Sequence, residues 1–510
     1  MANAKKRSSP WADAFLVALS LLVSIAVAEG VVRVLNGQPL FAFPLPDPVG
    51  NATVKPQELD SIALAPGVDR AWFYSDPPPL PNRREPPKGW QEQFLYLQSH
   101  PSGTMDFRPP DAFKVWNSVF AGDPCKHAFL RHAPGHLYVY DPEDGRPSPP
   151  YRFYPDVTLP DRLVTNQIGW RGRPIEVPRG PRTIRIVFVG SSTVVDGHFV
   201  PFSYPEFVGH WLNLWAQSKH LDVHFEVLNS ARESNVSTDI ANIVHSEVLP
   251  LHPDLVVYYE GGNQFRLESI VEDVPQGKAV RPPGNGASVA PQWLTQAARY
   301  SALLGRVQAA IGFAASDLDG REWPKPDYKL VWPAGLDEQD PELGYPRLPV
   351  NLNTISHDLD HIRADLSTVG ADFALSSFVW MVKDGMVLDP VRHKYILEQL
   401  NIGNYPYRYR DLERLSKFEN RYFKKYAKVH DLTFVDVAGL LPFDPDLFID
   451  AVHTSYAGTR LRGWVTLQQI LPMIEKKITD GTWPRPPGPE QPLPTFKPRE
   501  ITFDCSKPAQ

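Results

Sequence analysis

Ser192, Asn263, Asp450 and His453 are the residues of this chain whose types and local settings could share one reaction. Ser192 lies in Val189-Gly190-Ser191-Ser192-Thr193, directly after a β-rich run. A serine at a strand-to-helix turn exposes its Oγ and can lend its own backbone N–H to a developing oxyanion. Asp450 precedes His453 by three residues in Phe448-Ile449-Asp450-Ala451-Val452-His453-Thr454. That spacing lets a carboxylate hold the Nδ1–H of the imidazole and leaves Nε2 to take a serine proton. Asn263, in Glu260-Gly261-Gly262-Asn263-Gln264, offers a neutral N–H₂ donor that suits an acyl-transfer oxyanion without burying a charge. Taken singly, each is an ordinary feature: a Gly-Ser-Ser turn, a loop cap, an isolated Asp-x-x-His. Taken together, they describe acyl transfer through a serine.

The elements that must position these residues alternate between strand and helix. Strand-like runs occur at 183–189, 223–228, 254–259, 372–375 and 432–437, with a helical stretch around 205–218 and further helical patterns between the others. Such alternation implies parallel pairing with right-handed crossovers, hence a doubly wound α/β sheet over about 165–480. Ligands of such sheets collect at the carboxyl ends of the strands, beside the switch in strand order. Each candidate residue follows one of the predicted strands.

The order serine, asparagine, aspartate, histidine on such a sheet resembles the SGNH (GDSL-type) hydrolases over about 165–475. That family comprises esterases, lipases, carbohydrate deacetylases and some acyltransferases on a flavodoxin-like sheet. The resemblance makes Ser192 the nucleophile and puts Ser191 where the family's first block, Gly-Asp-Ser, has aspartate. In the second block, usually Asn-Ala-Gly-x-Ser-Gly, this chain reads Asn229-Ser230-Ala231-Arg232-Glu233-Ser234 and both glycines are replaced. The oxyanion hole implied is Ser192, Ser234 and Asn263, with Ser234 supplying a backbone N–H and Glu233 an unfavourable charge nearby. Gly261-Gly262-Asn263 and Asp450-x-x-His453 match the third and fifth blocks residue for residue. Asn166-Gln-Ile-Gly-Trp-Arg-Gly172 and Tyr300-Ser-Ala-Leu-Leu304 look like membrane-anchored bacterial members. The activity implied is hydrolysis of an ester-linked acyl group on an envelope lipid or glycan, with no metal or organic cofactor. An O-acyltransferase of envelope polysaccharide would use the same residues, and the altered blocks also fit a non-catalytic binding protein.

The remaining chain sets the location. Lys5, Lys6 and Arg7 precede an uncharged run from Phe15 to Ala28, and the apolar pattern resumes at Val31. Residues 11–35 are long enough for a single span, while Ala26-Val27-Ala28 also has the form of a signal-peptide cleavage site. In either case the basic residues 1–10 stay inside and the rest of the chain crosses to the periplasmic or extracellular side. Residues 36–160 read as a Pro-rich linker and a loop- or β-rich extension, and 481–510 as a Pro-rich tail; 54 prolines occur in 510 residues. The inserts 268–350 and 381–415 follow sheet strands and are expected to wall the pocket. Cys125 and Cys505 could pair in an oxidising compartment. Cys125 with His127, His132 and His136 has no second ligand pair at zinc-site spacing, so these read as loop residues without a metal. A net charge of −6 gives no basic footprint for nucleic acid.

Overall fold

A computed structural model describes residues 10–35, 53–86, 137–142, 155–158, 163–196, 200–233, 235–267, 270–272, 301–312, 320–390, 392–488 and 496–501, with residues 40, 153, 277, 279 and 493 between them. Its centre is a five-stranded parallel sheet made of β1 (Thr183–Gly190), β2 (His224–Asn229), β3 (Leu255–Tyr259), β4 (Asp372–Ser376) and β5 (Thr433–Val435). The spatial order is β2-β1-β3-β4-β5. The five predicted runs therefore all form strands of one sheet, displaced by no more than two residues at either end. β1 is buried along its whole length, as its unbroken apolar run Ile186-Val187-Phe188-Val189 requires of a strand covered on both faces.

The chain moves from β1 outward to β2 and then back across to β3, so the switch point lies between β1 and β3. Right-handed crossovers then place α2 (Tyr204–Ser218), between β1 and β2, on one face. The connections containing α3 (Ser237–Ile243), α4 (Leu352–Thr368) and α5 (Tyr409–Val429) fall on the other. Pro205 at the start of α2 and the Ser203/Glu206 capping box fix where that helix begins. The last long helix, α6 (Tyr456–Thr479), packs beside α2. Their contact is aromatic: Trp211, stacked on Phe207 of its own helix at 5.3 Å between centroids, meets Trp464 of α6 edge-on at 5.0 Å.

Residues 53–86 are not a loose linker. Leu59, Ile62, Phe73 and Leu80 are buried, and Phe73 lies against both Trp211 and Trp464. Backbone polar groups of this segment are met by the sheet domain. Ala65 N donates to Gln468 Oε1 at 2.7 Å, Trp211 Nε1 donates to Trp72 O at 2.8 Å, and Asn82 Nδ2 donates to Thr165 O and Gly172 O at 3.0 Å. The packed unit thus starts near residue 53 instead of 165. Proline content suppresses regular structure, but it does not prevent a strap of short turns from burying its apolar side chains. Leu137–Pro142 pairs antiparallel with Phe496–Ile501, so part of the extension and part of the tail form one two-stranded ribbon. Cys125 and Cys505, with His127, His132 and His136, lie outside the described residues.

At the amino end of the sheet, buried charges are paired across neighbouring elements. Arg185 donates to its cross-strand partner Glu226 and to the backbone oxygens of Leu251 and Glu176, and Arg179 pairs with Asp254. Removing one member of such a pair strands the other in a low-dielectric interior. These residues lie at the end of the sheet opposite the carboxyl-end turns, and their role is structural.

The strap gives the first prediction. Phe73→Ala should cost about 3–5 kcal/mol, the range for emptying a phenylalanine site in a packed core. Urea unfolding followed by tryptophan fluorescence checks this, and a loss below about 1 kcal/mol would mean that the strap is not part of the core.

Candidate active site

At the carboxyl end of β1 the backbone turns at Gly190 into a short helix, Ser192–Val195, that begins with the candidate nucleophile. A Cβ on Gly190 would fall 2.4 Å from Tyr259 O and from Val194 Cγ2, so only glycine lets the turn pass this close to β3. Two contacts from other elements hold the short helix, and a third holds the chain that follows it. Arg171, buried, donates to Val195 O at 2.7 Å and Val200 O at 2.8 Å, and Asn229 Nδ2 donates to Val194 O at 2.8 Å. Asn166, whose Oδ1 accepts from Ile168 N and Trp170 N, shapes the turn that delivers Arg171. The motif 166–172 thereby supports the turn that holds Ser192.

His453 comes from the loop before α6, in which Phe448 and Thr454 bridge and Ile449 N donates to His453 O at 2.8 Å. Ser455 then caps α6 by accepting from Gly458 N. Asp450 Oδ1 accepts from the backbone N–H of Val452 at 3.0 Å and of His453 at 2.8 Å, and Oδ2 lies 2.8 Å from His453 Nδ1. The other ring nitrogen, Nε2, is 2.7 Å from Ser192 Oγ across 261 residues of sequence. With Nδ1–H donating to the carboxylate, Nε2 is left to accept the serine proton. Burial pushes the Asp450 carboxyl up, but the imidazole charge and hydrogen bonds of His453, together with the Val452 N–H, outweigh it, and the group sits below the ordinary carboxylate range. Ser192 is 8% exposed, and the His453 side chain is partly open to solvent.

A second layer fixes the register between these two loops. Asp196, four residues after Ser192, pairs with Arg462 of α6; both are buried, and the guanidinium lies over the rings of Tyr204 at 4.4 Å and Tyr259 at 5.2 Å. Asp196 also accepts from Tyr204 N at 2.6 Å and from Thr459 Oγ1 at 3.3 Å, and Thr459 is 2.9 Å from Thr454, the neighbour of His453. Asp196 adopts a left-handed backbone, φ 59°, the conformation that ends the short helix and turns its carboxylate toward Arg462. Sequence reasoning did not single out Asp196 or Arg462; an aspartate just before a glycine and an arginine inside a helix carry no local signal of pairing.

Asn263 sits on the loop after β3. Its Nδ2 donates to Asn235 O at 2.8 Å, which ties this loop to the one after β2 and leaves the second amide hydrogen for another acceptor. Ser234 lies outside the described residues. Of the two glycine replacements in that stretch, Ala231 does not use the left-handed backbone that would demand glycine, and its N–H is taken by Asn229 Oδ1 at 3.2 Å. Arg232 is buried and paired with Glu247, which also accepts from Trp170 Nε1 at 2.9 Å. Glu233 is buried.

Glu260 is a further residue the sequence did not reveal. It is buried, accepts from Ser191 Oγ through one oxygen, and accepts from Gly262 N at 2.8 Å and Asn263 N at 2.7 Å through the other. One carboxylate therefore joins the turn at Ser191 and Ser192 to the loop that holds Asn263. Behind it, Glu419 of α5 is fully buried, and neither of its oxygens has a hydrogen-bond partner among the described residues. A Cβ on Gly261 would fall 3.0 Å from Glu419 Oε2 and 2.9 Å from Phe378 Cβ, so this glycine leaves room for the second carboxyl. Burial pushes both carboxyls above the ordinary range, Glu419 furthest, with Glu260 as the charge beside it. Trp380, after β4, meets Phe265 of the loop after β3 at 4.9 Å, and Met381 N donates to Ala451 O at 2.7 Å. No group of three or more His, Cys, Asp or Glu side chains arranged to hold a metal ion occurs among the described residues.

No protein-family model matches the chain, and no curated protein matches it. Among solved structures, the acetylxylan esterase Axe2 from Geobacillus stearothermophilus is similar over 57% of this chain and 96% of its own, at 15% identity and a TM-score of 0.31. LAE5, an alpha/beta hydrolase enzyme from the metagenome of Lake Arreo, Spain, is similar over 56% of this chain and 94% of its own, at 13% identity and a TM-score of 0.29. The acetyl xylan esterase AlAXEase is similar over 55% and 97%, at 12% identity and a TM-score of 0.30. Similarity at that level carries no chemistry by itself, and the chemistry of this chain has to be read from its own residues.

The buried carboxyl pair supplies a pH prediction. An acid whose folded pKa lies above its unfolded value, about 4.3 for glutamate, loses stability as pH rises from the unfolded toward the folded value. Glu419→Gln should therefore match the native protein near pH 4 and exceed it increasingly at higher pH, read from urea midpoints across the range. Parallel stability curves would mean that Glu419 is not held neutral.

Proposed function

We propose that this protein is a serine acyl hydrolase of the SGNH type, with Ser192 as nucleophile, His453 as general base and then acid, and Asp450 as the residue that orients His453. The observation that supports it is the continuous contact from Asp450 Oδ2 to His453 Nδ1 and from Nε2 to Ser192 Oγ, at 2.8 and 2.7 Å. In the proposed reaction His453 removes the Ser192 proton and Oγ attacks the ester carbonyl. The tetrahedral intermediate expels the alcohol, which leaves with the proton from His453. A water molecule, deprotonated by the same imidazole, then attacks the acyl-serine and releases the acid and free Ser192. The backbone N–H of Ser192, the N–H of Ser234 and the amide of Asn263 are the proposed oxyanion donors. No metal or organic cofactor takes part in this scheme.

The proposed substrate class is an ester-linked acyl group on an envelope glycan or lipid. The proposed location is the outer side of the cytoplasmic membrane, with α1 (Pro10–Leu35) as a single-span anchor behind Lys5, Lys6 and Arg7. Its stretch Phe15–Leu35 has a mean hydropathy of 2.4.

Purified protein tested against p-nitrophenyl esters of graded chain length should release p-nitrophenol, and Ser192→Ala should abolish turnover. Asn263→Ala should lower kcat by about 10² to 10³, the effect of losing one oxyanion donor. Acyl transfer to an added glycan in place of release to water would reassign the acceptor while keeping the same residues. Undiminished turnover in Ser192→Ala would reject the proposal.

A further inference from the structure

Helix α1 is charged inside and apolar outside. Arg33 is 4% exposed, whereas Phe15, Leu22 and Leu35 on the same helix are 66%, 65% and 67% exposed. Arg33 Nε donates to Glu29 at 2.7 Å, and Glu29 is in turn bound by a second helix, Ala302–Gly312. Ser301 Oγ donates to Glu29 Oε2 at 2.7 Å, Ala302 N donates to Oε1 at 2.9 Å and Leu303 N donates to Oε2 at 2.9 Å. Ser301 Oγ also accepts from Leu304 N at 3.1 Å. Glu29 therefore acts as the N-terminal cap of a helix that is some 270 residues away in sequence, as the separations of 272 to 274 show.

The depth of Glu29 decides what surrounds this junction. The uncharged run from Phe15 to Ala28 reaches only about 21 Å at 1.5 Å per residue, short of the roughly 30 Å of hydrocarbon in a bilayer. A helix that spans must use residues 29–35 as well, which places Glu29 about 9 Å inside the end of the span at Leu35. An ionised carboxylate at that depth needs partners. Arg33 and the first turn of the helix at 302 are those partners, so the start of that helix has to sit where Glu29 sits.

From this we infer that the helix Ala302–Gly312 is a second membrane-contacting element, docked on the anchor through Glu29 and lying in the outer headgroup and acyl-chain boundary. Its partner is the lipid bilayer. Leu303 and Leu304 are half-buried, and Val307 is 39% exposed, which leaves an apolar side chain for the acyl chains. The sheet domain is then held to the membrane at two points, α1 and the insert after β3. The inference rests on the proposed anchor and is independent of the proposed chemistry.

The test uses the full chain reconstituted in phosphatidylethanolamine–phosphatidylglycerol vesicles, with a fluorescent amino acid in place of Val307. Brominated acyl chains should quench it and aqueous iodide should not. In Glu29→Ala the lipid quenching should fall by roughly five-fold, the scale of losing one helix cap. Ser301→Ala, which leaves the span intact, should fall in the same direction and serves if Glu29→Ala does not insert. Iodide quenching in the native protein, or lipid quenching unchanged in both variants, overturns the docking. Intact mass lacking residues 1–28, with release from the vesicles by carbonate, would overturn the anchor itself while leaving the esterase assays unaffected.

Discussion

A hydroxyl and an imidazole can exchange a proton only within hydrogen-bond reach, and here they are carried by loops at opposite ends of the domain's sequence. The 2.7 Å approach of His453 Nε2 to Ser192 Oγ is therefore a statement about register between the turn after β1 and the loop before α6. The ion pair of Asp196 with Arg462 is where that register is set, because Asp196 belongs to the first turn and Arg462 to the helix that follows the second. A buried pair of this kind loses about 3–5 kcal/mol when one partner is removed. That is large against the net stability of a domain, so the two loops cannot drift apart without disrupting the core. The edge-to-face rings of Trp211 and Trp464, with Phe73 of the strap against them, keep α2 and α6 together beneath the same junction.

Around Asn263 the organiser is a carboxylate. Ser191 has no charge of its own, and Glu260, just past the end of the neighbouring strand, accepts from its Oγ. Glu260 also gathers the N–H groups of Gly262 and Asn263, so the loop that carries Asn263 is shaped by the residue that steadies the turn holding Ser192. A second carboxyl, Glu419, is sealed behind the loop, and burial beside Glu260 pushes it well above the ordinary carboxylate range. Two carboxyls in one dry space can persist only if they do not both ionise, which makes this corner of the site sensitive to proton count.

Several of these features can be read from the amino-acid sequence, and the reason is locality. The strands announce themselves as short apolar runs such as Ile186–Val189 and Leu255–Tyr259, and the Asp450–His453 pair is close enough in sequence for its geometry to be foreseen. Long-range pairings are not local and leave no pattern. Asp196 with Arg462, Ser191 with Glu260, and Glu29 with Ser301 each join residues far apart in sequence, and even where a motif marks one partner it does not mark the pairing. The strap at 53–86 misleads for a different reason: its prolines mark irregular backbone correctly, but burial of Leu59, Ile62 and Phe73 depends on grooves formed by distant helices. Arg232 in the second loop gives no sign in the sequence that Glu247 pairs with it and ties it to Trp170.

The central claim is that one hydroxyl is activated by one imidazole, and the rate at which a fluorophosphonate modifies the protein, with the adduct mapped by peptide mass, tests it most directly. The expected result is a single adduct on Ser192 that forms rapidly in the native protein, slows by orders of magnitude in His453→Ala, and is absent in Ser192→Ala. An adduct on another residue, or modification of Ser192 at the same rate with and without His453, would contradict it.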